Sequence, residues 1–364
     1  MKLQVTQENL NKALSSVARI ASTRSTLPIL ANVLLKTFKN RLSVSAANLD
    51  IAVTHYIGAK VVSEGSITIP ARLIQDLVSN LPSDVIDLNL EDNKLHINSK
   101  MYQSVMNGVS SEDFPVMPAI SKGQTIKVEA SLLKHSLTQV VVAASNDETR
   151  PVLTGVYFNS FGGKLYIVAT DSYRLAEKLV APTDKEINIL VPASAISDLL
   201  RIMGDYNGEV SISYDEQQVS FSTGDIELVA RLIDGKYPDY RQLIPKTFTT
   251  TISLPKTDLN NITKVSALFA RESAGSITIN TSEENQEISI HSVASQLGEN
   301  TASAKAKVVG DGVVTMNSRY LLEALSVLDG EGVDCNFNGK LEPIVISNKE
   351  TKNNYLHIIM PLKS

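Results

Sequence analysis

An internal repeat is the feature of this sequence that most restricts its fold. Apolar residues at the spacing i, i+3, i+4, i+7 occur in three segments, which start at Ile74, Ile196 and Leu321. This spacing predicts an amphipathic helix in each segment. The three starts are 122 and 125 residues apart. Solenoid repeats have periods of only about 20–50 residues, so the sequence predicts three consecutive domains of similar structure.

Two further patterns recur at nearly the same period. Pro115, Pro238 and Pro361 are 123 residues apart, and each follows an aromatic residue or a methionine. A second helical stripe precedes the first in every unit: Leu10, Leu14 and Val17; Leu133, Leu137 and Val140; and, more loosely, Leu259 and Ile262. The common period predicts the domain boundaries. The three predicted domains are 1–122, 123–246 and 247–364.

Short stretches of alternating apolar residues lie between these helices and predict β-strands. The strands predicted in this way include 41–45, 87–90, 94–98, 165–168, 209–214, 218–222, 287–291 and 356–360. Turn-forming residues separate several of them, such as Gly162-Gly163. We therefore expect each domain to be α+β, with two helices on an antiparallel sheet.

Cysteine usage and hydropathy exclude several classes of protein. The single cysteine, Cys335, excludes an internal disulfide framework and is typical of a reducing cytoplasm. Cys335 lies in an alternating stretch, so we expect it to be a buried strand residue. No apolar run approaches the roughly 18 residues of a membrane helix, and the first residues contain no hydrophobic signal segment. We therefore expect a cytoplasmic protein without a membrane partner.

The charge of the chain is unevenly distributed. The net charge is −5, which by itself argues against nucleic acid as a partner. The predicted helical segments are 6–24, 70–81, 129–145, 192–203, 255–271 and 316–328. The first and fifth of them carry +2 each and the others are neutral, which leaves −9 for the rest of the chain. The helices could therefore face a polyanion and contact its phosphates without reading base sequence.

A polar run of the residues Ala-Thr-Asp-Ser-Tyr-Arg-Leu, at 169–175, follows one predicted strand. Binding residues collect where strands end, which favours a functional role for this run. A hydrolase could use Asp171, Ser172 and Arg174. However, no histidine lies near Ser172 in the sequence to act as its base. A hydrolase is therefore only an alternative to a binding function.

The sequence contains no recognisable metal or nucleotide motif. Its five histidines are His55, His96, His135, His291 and His357. They show neither His-x-x-His spacing nor a cysteine partner, so we predict no metal site. The G-x-x-x-x-G-K-[ST] motif is also absent, so we expect no nucleotide cofactor. His357 alternates with Leu356 and Ile358, which predicts an exposed position on a strand.

Five short motifs accompany the threefold repeat. They are Thr26-Leu27-Pro28-Ile29-Leu30, Asp113-Phe114-Pro115, the run 169–175, Asp234-Gly235-Lys236-Tyr237-Pro238-Asp239-Tyr240 and Met360-Pro361-Leu362. Together they resemble the bacterial DNA polymerase III β-subunit family, the sliding clamps, over essentially the whole chain. The resemblance implies three tandem clamp domains, which form half of a six-domain ring. A head-to-tail homodimer would close this ring around double-stranded DNA.

The resemblance also implies a processivity factor without catalytic residues of its own. In this family the polymerase III catalytic subunit, the clamp loader and other proteins with a clamp-binding motif dock a short hydrophobic peptide into one groove. The corresponding residues here are Leu153, Thr170, Ser172, Tyr173, Arg174, Leu175, Pro238, Leu243, Asn317, Tyr320, Leu341, Pro343, Ile358, Met360, Pro361 and Leu362. Opening of the ring would depend on ATP bound by another protein.

Two further sets of residues follow from the resemblance. The dimer seam would join the region of Ser104 and Met106 in one subunit to Leu268 and Phe269 in the other. The DNA-binding candidates are Arg24 and Arg72, with Lys12, Arg19 and Lys264 as further cations.

The sequence departs from some relatives in the groove. Ser172-Tyr173 stands where some relatives carry Gly-His, and the chain ends with Pro-Leu-Lys-Ser. A clamp-like paralogue with altered partners is therefore a second alternative.

Overall fold

The computed structural model describes residues 1–21, 27–115, 117, 120, 123–296, 298–348 and 354–362. Its α-helices are α1 (Gln7–Val17), α2 (Ala71–Asn80), α3 (Ala130–Val141), α4 (Ala193–Met203), α5 (Lys256–Phe269) and α6 (Ser318–Val327). All six coincide with helices predicted from the apolar stripes. None of the helices in the described residues is long and apolar enough to cross a membrane.

The strands follow in chain order. They are β1 (Lys2–Thr6), β2 (Asn32–Phe38), β3 (Arg41–Ala47), β4 (Ile51–Gly58), β5 (Lys60–Ser63), β6 (Ser66–Pro70), β7 (Val85–Glu91), β8 (Lys94–Ser99), β9 (Tyr102–Asn107), β10 (Gln124–Glu129), β11 (Gly155–Phe161), β12 (Lys164–Thr170), β13 (Arg174–Pro182), β14 (Asn188–Pro192), β15 (Glu209–Tyr214), β16 (Gln218–Thr223), β17 (Ile226–Arg231), β18 (Thr250–Pro255), β19 (Ser276–Ser282), β20 (Glu287–Ala294), β21 (Gly298–Lys305), β22 (Lys307–Val309), β23 (Gly312–Asn317), β24 (Gly332–Phe337), β25 (Ile344–Ser347) and β26 (Tyr355–Ile359). Each strand predicted from alternation overlaps one of these.

The chain forms two compact units. The first contains Met1–Leu133 and Ser197–Leu232, and the second contains Lys134–Ile196 and Ile233–Ser364. Two sheets lie in the first unit, in the strand orders β5-β1-β7-β8-β9 and β10-β15-β16-β17-β4-β3-β2-β6. The second unit has the sheets β14-β11-β12-β13-β26-β25-β24-β18-β22 and β21-β20-β19-β23. Every pairing between these strands is antiparallel, as predicted.

Helix α1 shows how the local sequence defines an element. The Thr6 side chain accepts a hydrogen bond from the Asn9 main-chain N–H, which caps the first turn. Leu14 and Val17 are buried, and α1 packs on α2 and β4. The helix ends at Val17 and not at residue 24, and the chain continues in a turn in which the Ile20 N–H donates to the Val17 carbonyl at 3.0 Å. The candidate Arg19 therefore lies in the turn after α1.

The first helix of the third repeat uses a different core. In α5, Thr263 and Ser266 are buried at the positions that Leu14 and Val17 occupy in α1. The Thr263 hydroxyl donates to the Leu259 carbonyl at 2.6 Å, so this polar group is satisfied inside the helix. This substitution explains why the apolar stripe of the third repeat is weak in the sequence.

Strand pairing joins consecutive repeats in the same way at two places. In the first unit β4 pairs with β17, and Ala52 lies opposite Val229. In the second unit β13 pairs with β26, and Leu175 lies opposite Ile358. β4 and β13 hold equivalent places in their repeats, and β17 and β26 are each the last strand of the following repeat. The strands of the central repeat are thus divided between the two units. The domain boundaries at 122 and 246 stay a prediction.

The structure confirms one prediction about burial and contradicts another. Cys335 is buried in β24, as expected. The exposed position predicted for His357 is wrong, because β26 is buried on both faces. The His357 ring is fully buried, and its Nδ1 lies 2.9 Å from the Tyr355 hydroxyl. Desolvation, helped by the charge of Arg174, lowers the pKa of His357 to about 3.

The buried, neutral His357 predicts a loss of stability in mild acid. In the unfolded chain this histidine gains a proton below its ordinary pKa of 6.5, whereas in the folded chain it stays neutral down to about 3. The unfolded state therefore binds more protons, and folding stability falls progressively as the pH drops from 6.5 toward 3. We expect His357→Gln to reduce the fall in urea midpoint between pH 7 and pH 5, measured by circular dichroism.

A matched control is His291→Gln, at a partly exposed position on β20. It should keep the wild-type pH dependence. His55 is also buried and its pKa is lowered to about 4, so part of the dependence remains in both variants. An unchanged fall in midpoint for the His357 variant would contradict the assignment.

Candidate functional site

The pairing of β13 with β26 brings the polar run 169–175 beside the C-terminal strand. Arg174 lies opposite Ile359, and Leu175 lies opposite Ile358. Just beyond the end of β26, the Met360 N–H donates to the Tyr173 carbonyl at 2.8 Å. Residues predicted from two distant parts of the sequence are therefore neighbours in the second unit.

The polar side chains of this run build the turn between β12 and β13. The Asp171 Oδ1 accepts from the main-chain N–H groups of Tyr173 and Arg174, each at 2.9 Å. The Thr170 hydroxyl donates to the Arg174 carbonyl at 2.6 Å and accepts from the Ser172 N–H at 3.1 Å. Asp171 and Thr170 are thus engaged in holding the main chain, as short polar residues in turns commonly are.

Arg174 is a buried cation between two carboxylates. Its side chain is 6% exposed, and its Nε donates to Asp171 Oδ2 at 3.1 Å. One terminal nitrogen of the same guanidinium pairs with Glu323 on α6, and the guanidinium carbon lies 4.5 Å from the centre of the Tyr320 ring. Two carboxylates and an aromatic face compensate the desolvation of the charge. Arg174 consequently ties the 169–175 turn to α6.

Glu323 is shared by two arginines. Its Oε2 pairs with Arg174, and its Oε1 accepts from the Arg319 Nε at 2.7 Å. Burial acts to raise the pKa of Glu323, but the hydrogen bonds from Arg319 and Arg174 outweigh it, and the pKa is lowered overall. Sequence reasoning missed Glu323, although its spacing of four residues from Arg319 on a predicted helix is the spacing of an ion pair.

Ser172 adopts a backbone conformation that is unusual for a residue with a side chain. Its φ is 77°, in the left-handed region. The Ser172 hydroxyl accepts a hydrogen bond from the Arg150 Nη1 at 3.1 Å. Arg150, which the sequence did not single out, therefore lies at the edge of the same surface.

An apolar cluster supports this surface from beneath. Leu175 and Ile358 are almost completely buried, and they pack with Val168, Leu190 and Tyr237 in one core cluster. Leu153 and Pro343, also predicted to line the groove, are buried too. All four of these predicted residues are therefore buried in this chain.

The remaining predicted groove residues, apart from the buried Thr170 and Arg174, are accessible. Tyr173 is 57% exposed, Leu243 is 48% exposed and Leu341 is 69% exposed. Pro238 is exposed as well, and the partly exposed members are Asn317, Tyr320, Met360, Pro361 and Leu362. The Asn317 side chain accepts from the Arg319 N–H at 2.9 Å, which caps α6 and so orients Tyr320. That all these side chains line one groove stays a prediction.

A second cation, Arg241, anchors the turn that carries Leu243. This turn is the 3-10 helix Tyr240–Leu243. The Arg241 guanidinium lies 4.3 Å from the centre of the Phe161 ring, and its Nη2 is 3.2 Å from the buried Glu177 carboxylate. The Tyr240 hydroxyl donates to the same carboxylate at 2.5 Å. These contacts of Arg241 orient Leu243. No pattern in the sequence indicated them.

The cations predicted to contact DNA are placed on or near helices. Lys12 lies on α1, Arg72 on α2 and Lys264 on α5, and all three are exposed. Arg19 is exposed in the turn after α1. Arg24 lies outside the described residues.

The residues predicted for the dimer seam lie on β9 and at the end of α5. Ser104 and Met106 belong to β9, which is an edge strand of its sheet. The Met106 side chain is buried in its own chain, whereas Leu268 is largely exposed and Phe269 is partly so. Met106 would therefore contribute through its main chain.

In the part of the chain that the structure describes, no group of three His, Cys, Asp or Glu side chains could hold a metal ion.

Comparison with known proteins decides the family. The N-terminal domain of the DNA polymerase III beta subunit matches residues 1–118, its central domain matches 127–239 and its C-terminal domain matches 241–363. The chain belongs to the DNA polymerase III β-subunit family. The predicted α+β clamp fold is thereby confirmed.

Individual relatives agree over their full length. The beta sliding clamp of Synechococcus elongatus is 33% identical over 360 residues, which cover 95% of each chain. The crystal structure of the Bacillus subtilis sliding clamp has a TM-score of 0.95 at 27% identity and covers 100% of this chain and 99% of its own. A Pseudomonas aeruginosa clamp bound to griselimycin has a TM-score of 0.95 at 25% identity, with both chains covered completely.

This chain is accordingly a DNA sliding clamp, a processivity factor and not a catalytic enzyme. The hydrolase considered as an alternative is therefore wrong. The geometry supplies the physical reason, because Asp171 is committed to two main-chain N–H groups and to Arg174. The Ser172 hydroxyl, for its part, accepts a hydrogen bond from the Arg150 cation, whereas a nucleophilic serine donates its proton to a base.

The left-handed conformation of Ser172 predicts an unusual response to substitution. A residue with a Cβ pays about 1–2 kcal/mol for this region, whereas glycine adopts it freely. We expect Ser172→Gly to be more stable than Ser172→Val by about 1–2 kcal/mol, measured by urea unfolding. The same pair of substitutions at Ser15, an exposed serine inside α1, should show the opposite order, since glycine disfavours helix interiors. The same stability order of the glycine and valine variants at both positions would contradict a strained backbone at Ser172.

Proposed function

We propose that two copies of this chain form a head-to-tail ring that encircles double-stranded DNA without reading its sequence. The ring tethers the DNA polymerase III catalytic subunit, the clamp loader and other proteins with a clamp-binding motif through the groove above the 169–175 turn. It works in the cytoplasm, requires no cofactor of its own and has no membrane partner.

The repeated strand junction is the observation that carries the ring proposal. β4 pairs with the last strand of the second repeat, and β13 pairs with the last strand of the third. Their counterpart in the third repeat is β21, and the last strand of the first repeat is β9. Both β21 and β9 are edge strands of their sheets in this chain. Pairing β21 of one subunit with β9 of the next would repeat the junction and satisfy both edges.

The two internal junctions also predict the register of this seam. The equivalent hairpin pairs of the three repeats are Ala47↔Ala52, Thr170↔Leu175 and Val293↔Glu299. Val105 and Val229 are equivalent, since each is the fourth residue of the last strand in its repeat. Ala52 lies opposite Val229 in the chain. Glu299 of one subunit should therefore lie opposite Val105 of the other.

Encirclement explains how an acidic clamp can hold DNA. A closed ring retains its duplex by topology, so a few phosphate contacts are enough and strong affinity is unnecessary. The exposed cations Lys12, Arg72 and Lys264 on the helices support such contacts, with Arg19 beside them. Arg24 is part of the same proposal.

The composition of the groove supports a hydrophobic peptide as its ligand. Exposed Tyr173 and Leu341 and partly exposed Met360 supply apolar contact area, while the buried Arg174 keeps their supports rigid. A mainly apolar site with a few fixed polar groups is suited to a short peptide. The related Pseudomonas aeruginosa clamp, bound to griselimycin, is an example of ligand binding in this family.

Truncation of the exposed apolar side chains tests the groove. We expect Met360→Ala combined with Leu341→Ala to weaken binding of a labelled peptide from the polymerase III catalytic subunit by about tenfold or more, since two apolar anchors of an interface that each contribute about 1 kcal/mol are sufficient for this factor. The measurement is fluorescence polarization. Leu175 is unsuitable for this test, because it belongs to the core and its truncation would destabilise the fold.

Leu49→Ala combined with Val62→Ala is the control, because both side chains are exposed on the first unit. It should leave peptide affinity unchanged. Equal affinity of the groove variant and the wild type would contradict the site. A wild-type clamp that binds duplex DNA but not this peptide would favour the alternative of a paralogue with other partners.

Engineered cysteines test the seam and its register. By continuation from Glu299 and Val105, Thr301 should face Gln103 across the subunits, and both are exposed. The double variant Gln103→Cys/Thr301→Cys should give a covalent dimer on oxidation, measured on a non-reducing gel. The only native cysteine, Cys335, is buried and should not interfere.

The matched control moves one cysteine two residues along the same face of β21, as Gln103→Cys/Ser303→Cys. Diagonal neighbours are about 7–8 Å apart, too far for an unstrained disulfide. Cross-linking of both variants to the same extent would contradict the register. A monomeric mass in solution at micromolar concentration would contradict the dimer itself.

A further inference from the structure

A cleft on the second unit contains two arginines that the peptide groove does not use. It has a volume of about 390 Å³, and α6 and the end of α5 form its walls. Arg271 and Arg319 line it together with Ala267, Leu322 and Ser326. The Arg319 side chain is 73% exposed, so its guanidinium can reach a ligand from solution.

The first unit has a cleft of the same design. It has a volume of about 580 Å³ and is lined by Arg19, Arg72 and Asp76, between α1 and α2. Arg72 and Asp76 stand four residues apart on α2, as Arg319 and Glu323 do on α6. A pair of guanidinium groups beside a helix is a suitable receptor for a phosphate group. The recurrence in both terminal repeats points to the same ligand, the DNA backbone.

The two clefts differ in the ionic contacts next to their arginines. In the second unit, Glu323 pairs with Arg319 in the cleft and also with Arg174 beneath the groove. In the first unit, the position that corresponds to Arg174 is Ile51, which is apolar and opens β4 as Arg174 opens β13. In the second unit a chain of ionic contacts therefore leads from the cleft through Glu323 and Arg174 to the 169–175 turn.

We propose that a DNA phosphate bound by Arg271 and Arg319 strengthens peptide binding in the groove through Glu323. This coupling rests on the proposed function, since it assumes that DNA faces the helices and that a peptide occupies the groove. It assigns to one helix, α6, the role of joining the two surfaces.

The physical basis is competition for one carboxylate. A phosphate that engages Arg319 draws its guanidinium away from Glu323, which then pairs with Arg174 alone. The remaining ion pair holds Arg174 more firmly, and with it the Tyr320 ring and the Asp171 turn that it contacts. A more ordered groove loses less conformational entropy when a peptide binds.

Linkage requires the effect to be reciprocal, so a bound peptide must also strengthen DNA binding by the same factor. We expect a factor of about three, which is somewhat below the typical range of couplings because Arg319 is exposed and its ion pair is screened by solvent.

The experiment measures polarization of a labelled groove peptide, titrated with the full-length clamp at low salt, with and without saturating short duplex DNA. Wild type should bind the peptide about threefold more tightly when DNA is present. Arg319→Gln and Glu323→Gln should each abolish this enhancement. Circular dichroism verifies that both variants are folded, and each variant alone is sufficient for the test.

Arg72→Gln is the matched control, because it removes the equivalent arginine of the other cleft. It should weaken DNA binding as Arg319→Gln does, yet keep the enhancement. If peptide and duplex both bind wild type without enhancement, or if Arg319→Gln retains it, the coupling is overturned and the proposed function stands. If wild type fails to bind the peptide or the duplex at all, the proposed function is overturned together with the coupling.

Discussion

Antiparallel pairing joins β4 to β17 and β13 to β26, and in both places the strands belong to consecutive repeats. These contacts are main-chain hydrogen bonds, so they tolerate side-chain divergence. Ala52 and Leu175 occupy the same place in the two junctions although their volumes differ greatly. The register nevertheless has to be kept, because a slip of one residue would turn every side chain of a strand to the opposite face. The fixed register joins consecutive repeats in one defined way and leaves β9 and β21 as edge strands of their sheets.

The proposed groove depends on the second of these junctions. The pairing of β13 with β26 places the 169–175 turn beside Met360, and Arg174 then connects the turn to α6. A buried guanidinium is tolerable only when its partners are complete, so Asp171 and Glu323 are both needed. The polar residues that suggest catalysis in the sequence instead hold the main chain of the 169–175 turn and tie it to α6.

Much of the fold could be predicted from the sequence, because helices and strands impose periods of 3.6 and 2 residues on buried side chains. The stripes that start at Ile74, Ile196 and Leu321 were sufficient to identify three helices. Prediction failed for features that the hydrophobic period does not specify. Periodicity does not fix where a helix ends, as at Val17 of α1, and His357 alternates with its neighbours on a strand that is buried on both faces.

The candidate site was predictable only through resemblance to a known family. No pattern along the chain connects Arg150 to Ser172 or Arg174 to Glu323, since these partners are 22 and 149 residues apart. Such contacts arise when distant strands and helices are packed together. Their side chains carry no periodic signal, because a single ion pair does not repeat.

By itself the sequence determined the threefold repeat, the secondary structure of each unit and, through its motifs, the sliding-clamp family. The tertiary structure decided which strands share a sheet, which edges stay open and how one carboxylate serves two arginines. The physical reason is that the two kinds of information extend over different distances along the sequence. Hydrophobic periodicity records whether each residue is buried, and this is a local property of the chain. Pairing partners and ionic networks depend on which distant segments meet, and only the folded chain brings them together.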